Sequence, residues 1–286
     1  MADPLHELRP IALGDAGIVA IARLLREVFP GARHFTEEVL RWQYVENPDG
    51  QAVGYDAWSG NMLAAHYVTI PLRAQVEDRE ELGLLSLNTA THPAHQGKGL
   101  FTRLANATYA TAAERGFGFV VGVANTNSTH GFTHKLGFQA VGPLPALVGI
   151  GRIAFSEDPS LPGFAPVHDP AKLAWRLRHP AYRYTRAVQS GRTFILSQRT
   201  LKGARFILGV EGGGHAADAL PEEPMPLLRS FIGLDPAIDR RRSLYVNVPM
   251  RFRPSPLNFI WKDLSGRDRK LEAGRVRFHA FDFDTL

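Results

Sequence analysis

Cysteine is absent from the 286 residues. Its absence excludes disulfides, thiolate metal sites and a covalent cysteine intermediate. Long apolar runs are also missing. The longest, Pro143 to Phe155, carries Arg152 and falls short of the roughly 20 residues that a membrane helix needs. The N-terminus, MADPLHELRP, has no basic start followed by an apolar stretch and does not read as a secretory signal. A cytoplasmic chain with no membrane attachment is the expectation. No H-x-H, H-E-x-x-H or carboxylate-loop spacing occurs, so no metal is expected.

What is present is ordinary for a globular protein, with 44% hydrophobic and 21% charged residues. The length suits one large domain or two smaller ones. Charge is uneven along the chain. Residues 1–168 hold 12 Lys and Arg against 16 Asp and Glu, whereas residues 169–286 hold 21 against 12. A basic surface can attract nucleic acid, but a solvated face is the plainer reading, and a nucleic-acid partner is not expected.

Periodicity predicts a strand at Leu8–Leu13 and a helix from Gly14-Asp15 to Pro30-Gly31. A capped helix follows Thr36, and a hairpin pairs residues 52–58 with 62–76. A strand over Leu82–Thr91, a helix over Leu100–Glu114 and an apolar strand over Phe119–Val123 form a βαβ unit with parallel neighbours. Asn127-Ser128 opens a short helix to Leu136. Ser156 to Pro170 is rich in proline and acidic residues and reads as a linker. The expected division is therefore 1–155, 156–170 and 171–286, with a mixed α/β second part. In that part the pattern predicts helices at Ala171–Arg178 and Met225–Ile232. Its strands are expected near 182–188, 192–198, 205–210, 244–248, 258–261 and 276–283, with a flexible Glu211 to Ala217.

The strongest chemical signal is a strand, then His92-Pro93-Ala94-His95-Gln96-Gly97-Lys98-Gly99-Leu100-Phe101, then a helix. A helix N-terminus presents unpaired N–H groups and a positive dipole end. Gly97 and Gly99 lack Cβ, so an anion such as a pyrophosphate can approach the backbone closely. The P-loop pattern fails because Gly99, in place of Ser or Thr, follows Lys98. The dinucleotide pattern fails at Thr102.

The segment resembles the GNAT superfamily of N-acetyltransferases, whose [QR]-x-x-G-x-[GA] motif is met by Gln96 to Phe101, with Phe101 in place of a small residue. The run Asn125, Asn127, Phe132, Lys135-Leu136-Gly137-Phe138 resembles the family's N-x-x-[AS]…[FY]-x-K-L-G-F segment. The resemblance covers about residues 5–155 and extends loosely to a degenerate second GNAT-like domain. It implies a mixed twisted sheet flanked by helices, followed by a smaller α/β domain. It also implies acetyl-CoA, or another acyl-CoA, as co-substrate. Thr89, Ala90 and Thr91 would then hold pantetheine, joined by Asn125. The amides of Gln96, Gly97, Lys98, Gly99, Leu100 and Phe101 would hold the pyrophosphate, with an oxyanion near the N–H of Ala90 or Thr91.

The implied reaction is direct attack by a small-molecule amine, which needs a base. His66, His130, His134 and Glu81 are the candidates, each set against a structural or solvated role. The tyrosine that many relatives use as acid is replaced by Thr133. That replacement leaves a catalytically silent acyl-CoA binder as the alternative. A homodimer is compatible with the resemblance. Trp42, Tyr44, Asn47-Pro48 and Gly50 resemble a run that borders the acceptor pocket in small-molecule branches, although Trp42 also fits a core position. Asp282 and Asp284 alternate as if on one strand face, where they would grip a cation or meet solvent.

Overall fold

The computed structural model describes residues 6–156, 162–198, 205–212 and 215–283. The first half gives β1 (Glu7–Pro10), α1 (Asp15–Val28), α2 (Glu37–Tyr44), β2 (Val53–Ser59), β3 (Met62–Val76), β4 (Arg79–Thr91), α3 (Leu100–Glu114), β5 (Phe119–Ala124), α4 (Thr126–His130), β6 (Gln139–Pro143) and β7 (Ala146–Ile150). The second half gives β8 (Phe164–Pro166), α5 (Pro170–Leu177), β9 (Thr185–Gln189), β10 (Arg192–Leu196), β11 (Arg205–Gly212), β12 (Leu228–Leu234), β13 (Tyr245–Asn247), β14 (Asn258–Asp263) and β15 (Phe278–His279).

Local chemistry explains the first-half elements. Ile18, Ile21, Ala22 and Leu25 form the buried face of α1. The Thr36 hydroxyl caps α2 by accepting the Val39 N–H at 3.2 Å. Alternation along the sheet sends Leu85, Val68 and Ile70 into a core with α1 and α2. Leu84, Tyr67 and Val120 pack with Leu104, Ala105 and Ala112 of α3 in a second core. The two helical layers therefore cover opposite faces of the sheet.

Two mixed sheets result. The first runs β1-β2-β3-β4-β5-β14-β6, with β8 extending the β2 edge of β3; the second runs β13-β7-β12-β11-β10-β9, with β15 beside β12. Each sheet contains three antiparallel strands followed by a parallel pair, β4 with β5 and β11 with β12. The halves also exchange a strand. The second half's β14 lies between β5 and β6, and the first half's β7 lies between β12 and β13. Sequence division at 156–170 therefore does not follow the sheets. Within that stretch Phe164–Pro166 bonds to Ala74–Val76 of β3, while residues 157–161 lie outside the described residues.

Two elements differ from the sequence reading. Met225–Ile232, read as a helix, is replaced by strand β12, which pairs with β7 on one side and β11 on the other. Its buried residues are Arg229, Phe231 and Gly233, a period of two rather than of a helix. The strand expected at 276–283 is reduced to Phe278–His279 and gives way to a 3-10 turn at Ala280–Asp282. Asp282 is buried there, where it accepts the His279 N–H at 2.6 Å. Asp282 is thus no residue of a solvated strand face, and Asp284 lies outside the described residues. So do residues 213–214 of the glycine run.

The halves are bonded through buried polar contacts. Trp42 and Trp175 stack at 4.4 Å, and each indole N–H donates to the other's main-chain carbonyl at 3.0 Å. Lys172 reaches Asp49 at 2.6 Å and Asn47 at 2.8 Å. Trp42, Asn47 and Asp49 are thus joint residues. His168 links Glu211 at 2.8 Å with Asp282 at 2.7 Å.

Burial lowers the His168 pKa, but Asp282 and then Glu211 outweigh it and raise it to about 9 from 6.5. Burial raises Asp282, yet the His168 charge and hydrogen bond hold it at about 2. The His168 contribution is therefore complete below about pH 6.5 and is lost as pH rises through about 9. The Asp282 contribution is complete above about pH 3.8 and is lost as pH falls through about 2. Denaturant titrations at pH 6 and pH 10 are expected to show the stability gap between wild type and His168→Leu shrinking by about 3 kcal/mol.

Candidate active site

Parallel pairing between β4 and β5 covers only Leu84–Ser86 against Val120–Gly122. Beyond that point β4 stays bonded to β3 as far as Thr91, and β5 stays bonded to β14 as far as Ala124. The strands diverge while each stays held by its outer neighbour. A cleft of about 320 Å³ opens between them. Leu87, Asn88 and Thr89 line one wall and Val123 and Asn125 the other. Phe29, His34 and Phe35 border it from the α1–α2 loop, and Ser128 and Phe132 border it from the α4 side.

A bulge shapes the β4 wall. His66 faces Ala90 and Val68 faces Leu87, so Asn88 and Thr89 oppose Tyr67 alone. Asn88 takes φ +47°, a left-handed conformation that asparagine tolerates better than most residues. Its Nδ2 donates to Gln43 Oε1 at 2.8 Å and to the Tyr44 hydroxyl at 2.9 Å. The sequence signal for this bulge was an asparagine inside an otherwise strand-like run, and it was missed.

In the turn that follows β4, Gly97 and Gly99 have φ +74° and +69°. Gly99 is the N-cap of α3 and supplies no side-chain hydrogen bond, and the first turn holds no acidic residue. The opening N–H groups of a 15-residue helix therefore remain available to an anion. Lys98 is exposed, and Gln96 folds back to donate to the Thr91 carbonyl at 3.3 Å. Leu100 is buried. Phe101 packs edge-on against Phe132 at 5.2 Å and Tyr67 at 5.9 Å. A Cβ on Gly131 would stand 3.0 Å from the Phe101 ring, so glycine at 131 accommodates the large residue that ends the motif.

The other sequence candidates fall in different places. Thr89 lines the cleft and Thr91 is half-buried, while Ala90 is buried beside His66. Asn125 borders the cleft, but its Oδ1 caps α4 by accepting the N–H groups of Asn127 and Ser128, each at 3.0 Å. His66 is fully buried, with Nδ1 2.7 Å from Asp56 and Nε2 3.3 Å from Tyr44. His134 is exposed beside His130, with ring centroids 4.5 Å apart. Glu81 binds Arg269 at 2.8 Å and Arg267 at 3.0 Å. It lies eight residues before Thr89 on β4, roughly 25 Å away along an extended strand. The Thr133 hydroxyl is turned to the Thr129 carbonyl at 2.9 Å. His34, Ser86 and Asn88 are cleft-lining polar residues that the sequence reading did not single out.

A sequence profile described as the acetyltransferase (GNAT) domain matches residues 9–141. No curated protein matches the sequence. Among solved structures, a probable N-acyltransferase of unknown function from Enterococcus faecalis V583 superposes with a TM-score of 0.62 at 8% identity, covering 91% of this chain and 73% of its own. A GCN5-related N-acetyltransferase from Anabaena variabilis ATCC 29413 gives 0.59 at 11% identity, covering 90% and 73%. Eis1 from Mycobacterium abscessus gives 0.56 at 11% identity, covering 91% and 73%. At these identities the superpositions establish a shared fold. Together with the motif at Gln96–Phe101 and the diverging strands, the profile match identifies residues 9–141 as a member of the GNAT acetyltransferase family.

Proposed function

We propose that the chain transfers an acetyl or other short acyl group from acyl-CoA to the amine of a small molecule, by direct attack and without a covalent enzyme intermediate. The observation that carries this reading is the glycine-lined start of α3, with no side-chain cap, in the turn after β4, one of two parallel strands that diverge around a cleft. A helix N-terminus takes a diphosphate, and the exposed strand edge beyond Ser86 takes an amide-bearing chain as a missing strand would. The acyl-CoA would lie with its diphosphate on the amides of Gln96 through Phe101. Its pantetheine arm would run along Thr89, Ala90 and Thr91, and a free N–H of the bulged backbone would meet the developing oxyanion.

The attacking amine must lose a proton. His66 is enclosed, His134 stands on the surface and Glu81 is engaged by arginines. His34 lines the cleft, so we assign it as the base. A cytoplasmic setting and a possible homodimer belong to the same proposal. A second reading, an acyl-CoA binder without turnover, is favoured by Thr133, whose hydroxyl is committed to its own helix.

Calorimetric titration with acetyl-CoA, combined with thiol release across a panel of primary amines and amino sugars, separates the two readings. Binding with amine-dependent thiol release is expected, and binding without release on any amine establishes the silent reading. Gly99→Glu sets a carboxylate against the diphosphate and is expected to weaken acetyl-CoA binding by about 100-fold. Gly99→Asn tolerates the left-handed backbone and is expected to stay within about fivefold. His34→Gln is expected to lower kcat by about 10²-fold without changing acetyl-CoA affinity, measured as turnover and calorimetric Kd.

A further inference from the structure

The hydrogen-bond chain behind the bulge has a direction that follows from its chemistry. An Asp56 carboxylate can only accept, so His66 Nδ1, at 2.7 Å, carries the proton. In the neutral ring Nε2 then has only a lone pair, and the Tyr44 hydroxyl at 3.3 Å must donate to it. Burial pushes the Tyr44 phenol well above its ordinary range, so it keeps the proton that it donates. The Tyr44 oxygen is left as an acceptor, and Asn88 Nδ2 at 2.9 Å supplies its hydrogen. The other Nδ2 hydrogen goes to Gln43 at 2.8 Å. Both donors of the Asn88 amide are consumed, and its carbonyl oxygen has no protein partner among the described residues.

Resting on the transferase reading above, we propose that Asp56, His66 and Tyr44 are positioning residues. They fix the Asn88 amide so that Oδ1 accepts an N–H of the attacking amine in the cleft. Two observations favour the amine over the pantetheine arm as the bonded group. Asn88 lines the cleft at the bulge, the stretch of backbone proposed above to meet the oxyanion. A nucleophile must come within about 3–3.5 Å of the carbonyl carbon held there. The amide is also anchored to Gln43 and Tyr44 of α2, on the sheet face opposite α3, whose N-terminus receives the diphosphate. Amine nitrogen gains positive charge as the C–N bond forms, and a fixed carbonyl dipole stabilises that charge through the N–H. Asn88 does not take the proton; the nitrogen releases it to the base as the C–S bond of the tetrahedral adduct breaks.

The test uses the full-length chain, with the amine that gives the fastest thiol release in the panel. Asn88→Ala is expected to lower kcat/KM for that amine by about 10–100-fold, the scale of a lost hydrogen bond to a charged group, with acetyl-CoA Kd held within about twofold. Tyr44→Phe keeps the buried ring but cuts the chain. It is expected to lower the same ratio by about 5–10-fold at unchanged Kd. His66→Gln can still donate to Asp56 and accept from Tyr44, and it is expected to retain more activity than His66→Leu. If either Asn88→Ala or Tyr44→Phe instead weakens acetyl-CoA binding while the amine kinetics hold, the assignment to the amine is overturned and the carbonyl serves the cofactor arm. Equal loss in His66→Gln and His66→Leu overturns the directional chain. Absence of thiol release by wild type with every amine overturns the transferase reading itself, and this assignment with it.

Discussion

The site depends on two parallel strands that part while each remains bonded on its outer side. Buried main-chain groups are costly when left without partners, and a sheet normally satisfies them by continuing its ladder. Here β3 holds β4 and β14 holds β5, while the ladder between them stops at Ser86 and Gly122. The open edge calls for an extended ligand with alternating amide groups. The glycine turn after β4 adds a positive helix terminus, and the bulge sets a left-handed Asn88 in the cleft wall. One departure from regular pairing thus generates the cleft on which both the proposed cofactor binding and the proposed chemistry rest.

Much of this was legible locally. The Gly97 and Gly99 turn, the helix from Leu100 and the strand at Phe119 are short-range patterns in which residue type dictates backbone conformation, and each appears where expected. The reciprocal strand exchange was not legible. Pairing of Asn258–Asp263 with Phe119–Ala124 spans more than 130 residues, and alternation in a strand does not name its partner. The same limit applies to β12, where the apolar cluster around Leu227 and Leu228 imitates helical spacing although both residues are exposed. Side-chain roles were the least readable. Glu81 receives arginines and Trp42 stacks on Trp175, both through partners that sequence proximity does not disclose, whereas Asn125 caps a helix through Asn127 and Ser128 in its own turn.

The basic excess of the second half has a related explanation. Arg269 pairs with both Asp263 and Glu81, Arg205 with Glu223, and Arg186 with Asp218 and Glu222. Arg253 donates to the carbonyls of Val248 and Leu144. These guanidiniums fasten loops and sheet edges, a use that Arg's planar array of donors favours. Formal charge summed over a stretch of chain therefore overstates the cationic surface offered to a partner.

Strand exchange also sets the order in which the molecule can be completed. Ile260 of β14 forms part of the cleft lining, and β14 leaves the ribosome more than 130 residues after β5. Until then the outer edge of β5 is an unoccupied template, shaped to accept a strand of one particular sequence. Any neighbouring molecule carries that same strand. Crowded nascent chains thus face a choice between closing on themselves and trading β14 with one another, and a traded pair would reproduce the native ladder in an intertwined dimer.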